Sequence, residues 1–155
     1  MKLAPHIREA CLKERELFVL VRHPDRVKEL GEVFTPTELV LEMLEQLPDE
    51  MWEDGRTFLD PACGNGQFLA AVLIVKRELG HKKLLETVYG VDIMQDNVDE
   101  CRERLLDIAS HTPENQALVE RNIVCADGLK YDYSFNGTNK TEEEAQWNNL
   151  FGEVE

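Results

Sequence analysis

The chain has 155 residues, enough for one domain with its own core and short of two. Apolar residues make up 43%, an ordinary globular share, and the longest uncharged apolar run, Phe68–Val75, is too short to cross a bilayer. The formal net charge is −14: residues 1–30 hold seven basic and five acidic side chains, and residues 31–155 hold ten basic against twenty-six acidic, which excludes a broad duplex-binding surface over most of the chain.

The four cysteines (Cys11, Cys63, Cys101, Cys125) form no Cys-x-x-Cys pair, so neither a zinc site nor a disulfide framework is expected. They are expected to be reduced and mostly buried. The N-terminus, "MKLAPHIREACLKERELF", is broken by charge and has no apolar h-region. An intracellular, cytoplasmic protein with no membrane segment is the expectation.

Residues 4–30 read as helical, with Leu12, Leu17, Leu20 and Val21 on a loose apolar face and a break near Pro24. In "GEVFTPTELVLEMLEQLP", Thr35 is a candidate N-cap, Pro36 falls at N1 and Glu38 completes a capping box. Leu39, Val40, Met43, Leu44 and Leu47 follow on one helical face, and Pro48 stops the helix.

"RTFLD" (56–60) reads as a short strand. "GQFLAAVLIVKREL" (66–79) is a helix apolar nearly all round, as expected for one packed on a sheet. "ETVYGVDI" (86–93) is a second strand. "QDNVDECRERLLDIAS" (95–110) is a helix with Val98, Cys101, Leu105 and Ile108 inward, and with acids before arginines to suit the helix dipole. "RNIVCAD" (121–127) is a third strand. Strands alternating with helices of this length predict βαβ units and a parallel sheet, an α/β class. Beyond Asp127 the pattern fades. Lys140–Gln146 fits a helix or a solvated loop, and "LFGEVE" fits one last short strand.

In an open parallel sheet, ligands sit beyond the carboxyl ends of the strands. Three polar features occupy such ends. The turn "DPACGNGQF" offers Gly64 and Gly66, which let a backbone approach a ligand or simply make a tight turn. It is not G-x-G-x-x-G, because the third glycine position holds Leu69, and no G-K-[ST] follows. Asp92 fits a ribose-binding carboxylate or a helix-capping one. Asp127 fits an acceptor for an adenine amino group or a plain strand terminator.

Taken together, "GEVFTP" (31–36), "DPACGNGQFL" (60–69), "YGVDI" (89–93) and "CADGL" (125–129) resemble the successive S-adenosyl-L-methionine motifs of the N6-adenine DNA methyltransferases. The order resembles the subclass with the F-x-T-P-like motif before the glycine loop. The resemblance covers roughly residues 30–130. It implies a truncated Rossmann-like methyltransferase fold: a short parallel sheet flanked by helices, with a helical N-terminal extension. The implied division is a helical segment over 1–30, a cofactor domain over 31–130 and an acidic tail over 131–155.

The resemblance also implies roles. Phe34 and Thr35 would lie beside the methionine part of the cofactor. Asp60, Pro61, Ala62, Gly64, Gly66 and Phe68 would line its amino and carboxylate end. Asp92 would take the ribose hydroxyls, Ile93 would pack on the adenine ring, and Asp127 with Gly128 would receive the adenine amino group. A family member also needs an (Asp/Asn/Ser)-Pro-Pro-aromatic motif, whose ring stacks a flipped target base. The six prolines here (5, 24, 36, 48, 61 and 113) include no adjacent pair, so no catalytic residue is assigned.

Two main expectations follow. One is a cofactor-binding methyltransferase half in a restriction-modification setting, touching DNA only through a partner; the exposed edge of strand one would be covered by a second chain or second copy, or by the chain's own tail "WNNLFGEVE". The other is a non-catalytic cofactor-binding module, or an inhibitor of a methyltransferase, suggested by the acidic C-terminal part. A small enzyme that cleaves the cofactor is a third class, with no specific residue behind it.

Overall fold

The computed structural model describes residues 1–17 and 34–137. In chain order the elements are helix α1 (Pro5–Glu16), helix α2 (Thr37–Glu45), a 3-10 turn (Asp49–Trp52), strand β1 (Phe58–Asp60) and helix α3 (Gln67–Glu78). A second 3-10 turn (Leu85–Thr87) leads into strand β2 (Val88–Asp92), then helix α4 (Gln95–Ala109), helix α5 (Pro113–Asn122) and strand β3 (Ile123–Cys125). The three strands are parallel in the order β1-β2-β3, which leaves β1 at an edge, as the sequence predicts. No helix among the described residues is long and apolar enough to cross a membrane.

The register pairs Leu59 with Tyr89 and Val91 with Val124, so these four share one face of the pleat. The main core lies on the opposite face. There α3 touches β1, β2 and the helices α1, α2 and α4. Leu69 through Lys76 are buried in an unbroken run, which explains why this helix is apolar nearly all round. Val98, Cys101, Leu105 and Ile108 of α4 point inward as expected. All four cysteines are free, and Cys11, Cys63 and Cys101 are buried.

Several local expectations are corrected. The buried face of α1 is Ile7 and Cys11, continued by Leu3 just before the helix, not Leu12 and Leu17, and Leu17 is exposed. Leu20, Val21 and Pro24 lie outside the described residues, as do Lys140–Gln146 and "LFGEVE". The capping box at Thr35 does not form. Pro36 itself takes the N-cap position, its carbonyl accepts from Val40 N at 3.0 Å, and no side chain caps the helix. The inward face of α2 is Val40, Leu41 and Leu44, while Leu39 and Met43 stay exposed. No basic residue reaches the last turn of α4. Arg102 instead donates to the Ile123 carbonyl, and Arg104 is buried with Glu14. The helix α5 was not foreseen, although Pro113 opens it and Thr112 Oγ1 accepts from Asn115 N at 3.1 Å.

The other face of the sheet has a thin cover. Tyr131, Tyr133 and Phe135 pack on Val91 and Val124, and the Tyr89 and Phe135 rings sit 4.8 Å apart. This cover stops short of β1, where Leu59 is 51% exposed. At the amino ends of the strands, the buried Lys76 ammonium donates to the Arg56 carbonyl at 2.5 Å and to Thr87 Oγ1 at 2.7 Å.

Candidate cofactor-binding site

Because all three strands run parallel, their carboxyl ends share one rim. There β1 gives way to the turn Pro61–Gly66. Asp60 Oδ1 accepts from Ala62 N at 3.1 Å, and Cys63 N donates to the Val91 carbonyl at 2.9 Å, so the turn is stitched to β2. Gly64 and Gly66 have φ of +54° and +94°. A Cβ on Gly64 would lie 2.9 Å from the Phe34 ring, and one on Gly66 would lie 2.8 Å from Cys101 Sγ. Conformation and space both demand glycine at these two positions.

Asp92, the last residue of β2, ties this turn to the next helix. One carboxylate oxygen accepts from Gly64 N at 3.0 Å, and the other accepts from Met94 N at 3.0 Å and Asn97 Nδ2 at 3.1 Å. Its carbonyl accepts from Ala126 N at 3.0 Å, which joins the end of β3. A carboxylate offers about four lone-pair positions, so roughly one stays available to a ligand. Asp127 Oδ1 accepts from Leu129 N at 2.9 Å and shapes the turn after β3. Gly128 abuts the first turn: a Cβ there would sit 2.6 Å from the Pro61 carbonyl oxygen.

The hollow enclosed by these turns has a volume of about 360 Å³ and is lined by Pro61, Ala62, Asp92, Ile93, Asp127, Gly128 and Leu129. Ile93 is 64% and Leu129 90% exposed, and both border this hollow. Large apolar side chains left in solvent beside a mostly apolar cleft with two carboxylates suit a planar apolar ring.

A second hollow of about 230 Å³ lies along β1, lined by Leu44, Phe58, Leu59, Asp60, Phe68, Leu69 and Val72. Asp60 and Phe68 therefore border this hollow, and Phe34 lies over Gly64 just after the described stretch resumes. Thr35, half-buried, follows Phe34 in the same stretch. Burial raises the Asp60 carboxyl above the usual carboxylate range; the Ala62 amide opposes this, and nearby Asp92 adds to it. Two carboxylates at one rim, one of them costly to ionise, make a site that gains from a cation. Elsewhere, Glu103, Asp107 and His111 gather on the exposed side of α4, where Asp107 favours the charged imidazole. A surface ion pair accounts for that group.

Reading the sequence placed only the Leu129 backbone near the site, where its side chain also borders the hollow, and it missed Tyr133, whose hydroxyl donates to the Gly128 carbonyl at 2.6 Å. The one signal was the unusual density of aromatics in "YDYSF" just after the fourth motif.

A family model described as N-6 DNA Methylase matches residues 16–142. Over 94 residues the chain is 31% identical to the methylase subunit of the type I restriction enzyme EcoEI of Escherichia coli, a match covering 54% of this chain and 19% of that protein. Over 103 residues it is 33% identical to the type II methyltransferase M.VspI of Vibrio sp. (strain 343), covering 66% of this chain and 22% of that protein. The chain thus spans about a fifth of the length of these two relatives. No solved structure matches it.

Proposed function

The chain belongs to the N-6 DNA methylase family, and from that premise we propose that it binds S-adenosyl-L-methionine and forms the cofactor-holding half of a DNA adenine-N6 methyltransferase. The observation that carries this reading is the 360 Å³ hollow at the common rim of three parallel strands, with Asp92, Asp127 and two exposed apolar side chains around it.

The residues fit the cofactor chemically. Ile93 and Leu129 offer apolar faces to the adenine ring. Asp127 offers an acceptor to its amino group, and the remaining lone pair of Asp92 suits a ribose hydroxyl. The turn at Gly64 and Gly66, with Phe34 above it, leaves room only for backbone, and the rim carboxylates Asp60 and Asp92 suit a cationic ligand. When bound, the cofactor supplies a methyl group made electrophilic by its sulfonium. This chain's residues hold and orient that ligand.

No Pro-Pro-aromatic motif occurs in these 155 residues, and the groups that present a target adenine are proposed to lie outside them, on a partner polypeptide. The edge strand β1, with exposed Leu59 and the second hollow beside it, is the proposed docking side. The acidity of residues 31–155 agrees with DNA contact through that partner, in the cytoplasmic setting of restriction and modification. The same acidity favours a second reading, a non-catalytic module that occupies a methyltransferase's partner surface.

Calorimetric titration of the chain with S-adenosyl-L-methionine tests the first step. Saturable one-site binding is expected, weakened at least tenfold in Ile93→Asp; absence of binding to the chain refutes the proposal. Tritiated-methyl transfer to DNA then separates the readings: none is expected from the chain alone, and an added partner restores it only under the first.

A further inference from the structure

The turn after β3 forms one wall of the cofactor hollow, and its placement depends on a contact outside the hollow. Gly128 presses its backbone on the Pro61 carbonyl from one side, and from the other its own carbonyl accepts the Tyr133 hydroxyl at 2.6 Å. Tyr133 is itself anchored. Its ring lies 5.3 Å from that of Tyr131 and 6.1 Å from that of Phe135, within the layer that covers Val91 and Val124. Tyr131 Oη accepts from Phe135 N at 3.0 Å and closes the loop on itself.

Tyr133 and Phe135 have φ of +53° and +45°, a left-handed conformation that bulky residues rarely adopt. Such conformations persist where the surroundings over-determine them, and often where a side chain must be aimed. Covering the sheet needs only the rings. The hydroxyl is spare for that purpose, yet it points at the wall of the hollow. By contrast, the Tyr89 hydroxyl in the same aromatic layer goes to the Glu86 carbonyl, at the other end of β2.

We infer that Tyr133 is a positioning residue for the cofactor site: through the Gly128 carbonyl it fixes the Asp127–Leu129 turn against Pro61 and sets how well the adenine edge is read. This inference rests on the proposed cofactor binding. It predicts that the hydroxyl governs discrimination at the base, because Asp127 would accept from the adenine amino group, which hypoxanthine lacks.

The test is calorimetry on the full chain with S-adenosyl-L-homocysteine and with its inosine counterpart, for the wild type, Tyr133→Phe and Tyr89→Phe. Tyr133→Phe should weaken the adenosyl ligand about fivefold and the inosyl ligand less, so the preference between them shrinks. Tyr89→Phe should leave both affinities unchanged. Unchanged preference in folded Tyr133→Phe overturns the inference, and so does an equal loss for both ligands with a lowered melting temperature, which a merely structural hydroxyl would give. Should wild type bind neither ligand, the cofactor proposal falls and this inference with it. Should Tyr133→Phe not fold, hydrogen exchange on the wild type decides: the ligand should slow exchange across 127–133 together, and protection that stops at Lys130 overturns the inference.

Discussion

Gly64 and Asp92, 28 residues apart, are joined by a backbone N–H to carboxylate bond of 3.0 Å. The same side chain accepts from Met94 N and Asn97 Nδ2, so one carboxylate fixes both the glycine turn and the start of α4. Asp92 therefore serves architecture before it meets any ligand. Asp92→Ala should cost about 2–4 kcal/mol, since several donors lose their acceptor together. Asp92→Asn, which keeps one acceptor oxygen, should cost about half as much while still weakening S-adenosyl-L-methionine more than tenfold. Urea denaturation read beside calorimetry separates the two effects, and an Asp92→Ala variant as stable as wild type would contradict the geometry.

Asp60 pulls stability and binding in opposite directions. Burial and Asp92 lift its carboxyl above the ordinary range, so in that window the folded chain holds more protons than the unfolded one. Its contribution to stability is therefore greatest at acidic pH and is lost as pH rises through the raised value. Asp60→Asn should raise the neutral-pH stability by about 1 kcal/mol and remove this acid-side slope. It should also weaken cationic S-adenosyl-L-methionine more than its neutral analogue S-adenosyl-L-homocysteine. Equal weakening of both would show that the Asp60 charge plays no part.

Lys76 gives the opposite slope at alkaline pH. Its ammonium is fully buried, and burial pushes its pKa down from 10.5 to about 8. Between those values the unfolded chain binds more protons, so stability from this group rises with pH from about 8 upward. Buried Cys11, pushed up from 9.0 to about 12, works the other way above pH 9. The difference between wild type and Lys76→Met isolates the lysine: that gap should shift in favour of wild type by about 1–3 kcal/mol between pH 7 and 10. A pH-independent gap in guanidinium melts would refute the assignment.

Arg104, 1% exposed, donates from two nitrogens to the Glu14 carboxylate at 2.5 and 2.7 Å, and from a third to Gln67 Oε1 at 2.8 Å. Breaking a buried ion pair by removing one partner typically costs about 3–5 kcal/mol. Glu14→Ala should fall in that range, and Glu14→Ala with Arg104→Met together should cost less than Glu14→Ala alone. An additive double-mutant cycle would mean that the two side chains act independently.

The alternation of strands and helices was legible because each crossover carries a strong local pattern: the continuous apolar run of α3 and the spaced Val98, Cys101, Leu105 and Ile108 of α4. The helix α5 was not, because it buries only Val119 and Asn122 and so shows almost no apolar stripe. In α2 the run Leu39–Leu44 fits two faces, and packing on α3 selects the one with Leu41. Candidate site residues could be named where they end strands. Their bonds could not be foreseen, since Gly64 to Asp92 and Gly128 to Pro61 join turns far apart in sequence. Tyr133 had no periodic element to announce it.

The strand order β1-β2-β3 also bears on how the chain reaches its fold. Each strand pairs with its neighbour in sequence, so the sheet can grow by successive closures of about 30 residues each, shorter than the closure that docks the amino-terminal helix. The amino-terminal helix departs furthest from this locality: Cys11 meets Ala71 across 60 residues, and Glu14 meets Arg104 across 90. A 90-residue loop is among the costliest here to close, so this link is expected late in folding. The amino-terminal helix is thus placed to dock last, as a clasp over a sheet already built, and strengthening that clasp would slow unfolding more than it would speed folding.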